Sequence, residues 1–220
     1  MKNHKRSLSL AAAGIALLAL LASASFLLPR HGPKEPTGPP GKLTVAISTA
    51  LNPALVKIAE AKGFFREEGL DITLQPHTFG KLAIESLLAG KADLATATET
   101  AIMFATMRGA RFSILATIQT STKNDAIIAR KDRGIVSAAD LKGRRIGLTL
   151  GTSVDYYLDA QLVMESMGRM DVEIVDLKPE EMADALLQGE VDAVSTFSPF
   201  VTNIHKALGD RGIKLQNENI

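Results

Sequence analysis

The sequence predicts an α/β protein of two similar lobes, and three observations carry that expectation. Short apolar runs of strand length alternate with helical segments, the pattern of parallel sheets flanked by helices. The β-α-β-α-β order occurs twice along the chain. Residues 85–96, ESLLAGKADLAT, match residues 184–195, DALLQGEVDAVS, so that Leu87, Leu88, Gly90 and Asp93 return as Leu186, Leu187, Gly189 and Asp192 at a constant offset of 99. Chance likeness of two helix–Gly–strand units is the alternative, because Gly is a common helix stop. The repeat of the whole order around the match favours two lobes. Two such lobes leave a cleft between them, where small molecules bind.

Each element has its own signal. Leu43–Ile47 is a short apolar strand. Pro53 to Lys62 follows as a helix, with Leu55, Ile58 and Ala59 at helical spacing. Gly63 and Gly69 bracket one further turn, Phe64–Glu68. Leu70, Ile72 and Leu74 alternate as a strand does. Leu82–Ala89 is a helix with Ile84, Leu87 and Leu88 on one face, ended by Gly90, and Ala92–Ala95 is a third strand. A helix over Glu99–Met107 and strands at Phe112–Ile118 and Ala126–Ala129 complete a first lobe, placed at 42–130. The second lobe, 131–220, restarts the order. It has a strand at Arg145–Leu150, a helix at Val154–Met167 and a strand at Val172–Leu177. A helix opening on Pro179 holds Met182, Ala185 and Leu186, then come a strand at Val191–Val194 and a helix from Pro199.

The first 41 residues are of another kind. MKNHKR is basic, and residues 8–28 carry no charge. With the small residues Ala22-Ser23-Ala24 this reads as an export signal. A retained anchor is the alternative, since 21 uncharged residues span about 31 Å as a helix, enough for a bilayer. Either reading puts the remainder outside the cytoplasm, in the periplasm or on the outer face of the cytoplasmic membrane. Residues 29–41, PRHGPKEPTGPPG, hold five prolines and read as a semi-extended linker.

Composition removes whole classes of function. The net charge is +1, but residues 1–41 hold five bases against Glu35. That leaves 20 basic and 23 acidic residues beyond them, a net of −3. No basic nucleic-acid face is expected. With no cysteine there are no disulfides, thiolate metal sites, Cys nucleophiles or lipoprotein anchor. His77 and His205 have no HxxxH or HExxH partner, and no GxSxG, P-loop or GxGxxG occurs. Asp93 and Asp192 read as turn and packing residues. No catalytic residue, metal or cofactor is expected.

The strand ends are where chemistry concentrates. Ligands of open parallel sheets meet the carboxyl ends of strands and the helix starts beyond them. Those ends hold Ser48, Thr49 and Asn52, then Thr98 and Glu99, then Gln119 and Thr120 in the first lobe. In the second they hold Gly151, Thr152 and Ser153, then Thr196 and Ser198. Such groups donate to anionic or polar ligands at helix N-termini. Plain helix capping is the alternative for each, and a hydroxyl can do both.

Several stretches match a known pattern. KLTVAISTALNPALVKIAEAKGFFREEGLDITL, LLAGKADLATAT and LKGRRIGLTLGTSVDYYL resemble the nitrate/sulfonate/taurine-type solute-binding proteins of ABC importers, whose relatives bind pyrimidine precursors of thiamine. The resemblance covers about residues 42–215. It implies a two-lobed periplasmic-binding fold of the second type, closing on a small solute such as a sulfonate, nitrate, taurine or pyrimidine and docking on a permease. It also implies that the fold is incomplete at its C-terminus, as a fragment or a shortened product, which would leave apolar surface of the first lobe bare. The competing readings are an enzyme of thiamine-pyrimidine synthesis, which goes with a Cys-rich motif this chain lacks, and a membrane-anchored sensor.

Overall fold

Strand β1 (Gly41–Ser48) is the centre of the first sheet because its apolar second half is flanked on both edges. The computed structural model describes residues 38–217. The leader, most of the linker and residues 218–220 lie outside the described residues; Gly41, expected in the linker, is the first residue of β1. Val45 pairs in parallel with Leu74 of β2 (Leu70–His77) and with Leu94 of β3 (Leu94–Ala95), giving the order β2-β1-β3. Helix α1 (Ala54–Lys62) ends on Gly63, whose φ of 80° is the left-handed cap that glycine supplies without a Cβ clash. A single turn, α2 (Phe64–Glu67), leads into β2. Helix α3 (Gly80–Leu88) buries Ala83 and Ile84, and α4 (Glu99–Met107) buries Thr100, Ala101 and Ala105.

Phe112–Ile118, expected as a strand, forms none. Residues 110–121 have no regular structure, and Ile114 and Leu115 are 68% and 75% exposed. An apolar run becomes a strand only where a neighbour completes its hydrogen-bond ladder. Among the described residues no strand lies alongside it.

The second sheet has the order β6-β5-β7-β4-β8. Its members are β4 (Asp125–Arg130), β5 (Arg145–Leu148), β6 (Glu173–Asp176), β7 (Ala193–Phe197) and β8 (Gly212–Leu215). Two expectations need correction here. β4 belongs to this sheet, so the chain crosses between lobes before residue 125 and not at 130/131. It is also antiparallel to both β7 and β8, which makes the sheet mixed. The physical reason is that β4 is entered from an irregular connector, whereas a parallel neighbour needs a returning crossover.

Alternation along β4 and β7 divides the core into two faces. Ile127, Ala129, Ala193 and Phe197 face α5 (Ser153–Met164), which contributes Val154, Tyr157, Leu158 and Leu162. Ala126, Ile128 and Val194 face α6 (Met182–Gln188) and α7 (Phe200–Leu208). Pro179 is buried in the turn before α6 and does not open it.

The internal repeat is a structural one. β2-β1-β3 and β6-β5-β7 have the same order, with the first strand of each unit in the middle. Asp93 Oδ2 accepts from Thr44 N at 2.7 Å, while Asp93 N donates to Thr44 O at 2.9 Å. Asp192 repeats the grip on Arg145, at 3.0 and 2.8 Å. Both aspartates are thus turn and packing residues, tying the start of the third strand of each unit to its central strand.

Candidate functional site

Three helix starts converge where the two lobes meet. α3 begins with a glycine because its backbone lies against the segment after β3; a Cβ on Gly80 would stand 3.1 Å from Ala97 Cα. That approach places Phe79 and Lys81 at the junction. Phe79 and Ala50, both from the first lobe, pack on the α5 face of the second lobe's core. Lys81 Nζ donates to Leu150 O at 3.0 Å, a hydrogen bond between lobes.

On the second-lobe side, β5 ends in the turn Thr149–Thr152. Gly151 has φ of 73°, and a Cβ there would meet Lys81 Nζ at 3.4 Å. Gly151 N donates to Asp155 Oδ2 at 2.7 Å, and Asp155 is held in turn by the Arg169 guanidinium. Thr152 is buried and its hydroxyl donates back to Thr149 O at 2.7 Å. No side chain caps α5. A helix start of this kind has N–H groups without intrahelical partners and a partial positive charge.

Ser153, first residue of α5, hydrogen-bonds the carboxyl of Asp125. Asn124 Nδ2 also donates to that carboxyl, at 2.5 Å. Burial pushes the Asp125 carboxyl above the usual carboxylate range despite these two donors, and the charge of Glu99 adds to the rise. Glu99 opens α4 in the first lobe, where it is exposed. Ser198 closes this edge, donating from N and Oγ to Asn124 O at 2.9 and 3.3 Å.

The residues expected from sequence distribute unevenly around this junction. Gly151, Thr152, Ser153 and Ser198 line its second-lobe side. Ser48 is buried at the end of β1, with its N–H on Thr96 Oγ1 at 3.3 Å. Thr49 is tied to His77 O and Thr78 O. Thr98 caps α4, accepting from Ala101 N at 3.4 Å. Asn52 is half-buried in the turn before α1, and Gln119 and Thr120 are exposed in the inter-lobe connector. Thr196 is fully buried, its hydroxyl without a hydrogen-bond partner. Alternation in β7 puts it with Val194 on the face of α6 and α7, away from Ser153.

Sequence reasoning missed Asp125, Asn124, Phe79 and Lys81. In parallel sheets ligand contacts are expected at the carboxyl ends of strands. Because β4 is antiparallel, its amino end, Asn124-Asp125, reaches the same edge, with Asp125 opposite Phe197 in the ladder. The available signal was a charged residue abutting the apolar run Ala126–Ala129.

Comparison with known proteins agrees with this architecture. A Bacillus subtilis protein named for binding aliphatic sulfonates is 28% identical over 192 residues, covering 84% of this chain and 57% of the relative. The taurine-binding periplasmic protein of Escherichia coli is 24% identical over 165 residues, covering 74% of this chain and 50% of that protein. The chain therefore spans little more than half the length of these relatives. The alkanesulfonate-binding protein of Xanthomonas axonopodis pv. citri, solved bound to MOPS, superposes with a TM-score of 0.69 at 22% identity, over 83% of this chain and 62% of that one. The two-lobed fold is thus that of periplasmic solute-binding proteins. The NMT1/THI5-like family profile matches residues 52–216, three quarters of the sequence, and the chain belongs to that family.

Proposed function

We propose that the chain is the solute-capturing component of an ABC importer, working outside the cytoplasm and delivering a small anionic or polar solute to a permease. The observation that carries this reading is the uncapped start of α5 at Gly151–Ser153, facing the first lobe across the Lys81–Leu150 hydrogen bond. A ligand there gains backbone donors from α5 and is covered by Phe79, Lys81 and Glu99 from the opposite lobe. Ser48, Thr49 and Thr98 shape the first-lobe wall, and Ser198 the second-lobe wall. The relatives named above are binding proteins, which supports capture over catalysis. In this reading the apolar leader exports the chain or anchors it.

The test is a thermal-shift panel on the full chain with nitrate, ethanesulfonate, 2-aminoethanesulfonate and an aminopyrimidine, followed by calorimetry. A ligand at a hundred times its Kd stabilises the folded state by about 2.7 kcal/mol, a shift of several degrees. A positive shift that is lost in Ser153→Pro is the expected result. No shift with any of the four solutes contradicts the reading.

A further inference from the structure

A buried carboxylate stands at the helix start where the solute is proposed to bind. Asp155 is the third residue of α5 and is 5% exposed. Its Oδ2 accepts from Gly151 N at 2.7 Å. The side chain thus folds back over the turn and puts a negative charge beside the first N–H groups of the helix. An anionic solute would occupy the same neighbourhood. Two like charges a few ångströms apart repel, and more strongly out of bulk water than in it. Left to itself, Asp155 would close the α5 start to anions.

Arg169 changes that balance. It opens the short turn Arg169–Asp171 that follows α5, and its guanidinium reaches back along the helix. One of its terminal nitrogens donates to Asp155 Oδ1. Its Nε stands 3.2 Å from Asp159 Oδ1, one helical turn further on. Asp155 therefore holds the Gly151 turn with one oxygen and Arg169 with the other. The turn requires only the first of these contacts, since an amide oxygen at 155 accepts from Gly151 N equally well. The second contact offsets the charge. We propose that Arg169 is a positioning residue for the solute site. It fixes the Asp155 carboxylate and compensates its charge, so that the turn keeps its shape while the α5 start stays open to an anion. Arg169 acts through Asp155 and not by touching the solute. This inference rests on the solute-binding reading above.

The experiment is calorimetry on the full chain with the three anion-bearing solutes of the panel: nitrate, ethanesulfonate and 2-aminoethanesulfonate. A melting curve is recorded for each variant. Arg169→Gln should weaken binding by roughly tenfold or more. Arg169→Lys keeps the charge and should retain most of the affinity. Asp155→Asn should bind more tightly than wild type. The double variant Arg169→Gln/Asp155→Asn should return to within a fewfold of wild type, although both partners of the ion pair are gone. An ion pair that only held the fold together would lower the melting temperature in every variant and give no such return. If Arg169→Gln folds poorly, Asp155→Asn carries the test, and unchanged or weaker binding there overturns the inference. Arg169→Gln that binds as wild type does overturns it, as does a double variant no better than Arg169→Gln. Wild-type protein that binds the aminopyrimidine and none of the three anion-bearing solutes also overturns the inference alone. Wild-type protein that binds none of the four overturns the solute-binding reading with it.

Discussion

Asp192 and Asp125 illustrate how the same side chain serves opposite ends. Burial alone would raise the Asp192 carboxyl, but Arg145 N and the Arg133 and Arg145 guanidinium groups hold it below the usual carboxylate range. A group lowered in this way contributes stability above its unfolded value, and loses that contribution as pH falls through its folded value. Asp192→Ala should therefore lower stability at pH 7 by about 2–3 kcal/mol in urea unfolding, and the gap from wild type should narrow below the unfolded carboxylate range. Asp125 has the reverse sign. Its raised carboxyl contributes stability fully below the unfolded value, and that contribution is lost as pH rises through the folded value. Asp125→Asn should accordingly be at least as stable as wild type at pH 7, and lose that advantage under acid. A variant that is strongly destabilised at pH 7 would show that the carboxylate is structural. The role of Asp192 was legible, because its Gly–x–x–Asp repeat predicted a turn. That of Asp125 was not, because no local pattern states which sheet a short apolar strand will join.

Among the elements, the turn that starts α5 bears the most weight. Gly151→Ala should cost about 1–2 kcal/mol, since a Cβ is disfavoured at φ of 73°, and it should also crowd Lys81 and weaken ligand binding. Thr152→Val should lower stability by about 1–2 kcal/mol, because the buried hydroxyl is bonded to Thr149 O and the carbonyl would lose its donor. Thermal melting and ligand affinity measured on both variants separate the two roles: Gly151→Ala moves both readouts, whereas Thr152→Val moves chiefly stability. The strand and helix order of both lobes was legible from periodicity, to within a few residues at most boundaries. Two features were not. The ladder partner that decides whether Phe112–Ile118 is a strand lies outside any local window, and the direction of β4 depends on how the connector enters the second sheet.

At the scale of the whole molecule, the duplicated β-α-β-α-β unit was legible from the offset of 99 residues, and the two units share a strand order. Their cores are unequal. The first lobe's cluster is Ala46, Ala83 and Ala92, while the second lobe is filled on both faces by Ile, Leu, Val and Met. Small side chains bury little apolar area, and Leu55, Ile58 and Met107 of the first lobe are half or more exposed. Amides of β1 and β2 should therefore exchange faster than those of β4 and β7 in the full chain, a difference read by hydrogen-exchange mass spectrometry. The same instrument tests the central claim, that a solute is held between the lobes at the start of α5. With 2-aminoethanesulfonate at saturation, exchange should slow at residues 151–155, 98–101 and 124–126 together, since these three segments surround the junction. Unchanged exchange in all three, or protection confined to other parts of the chain, would contradict it.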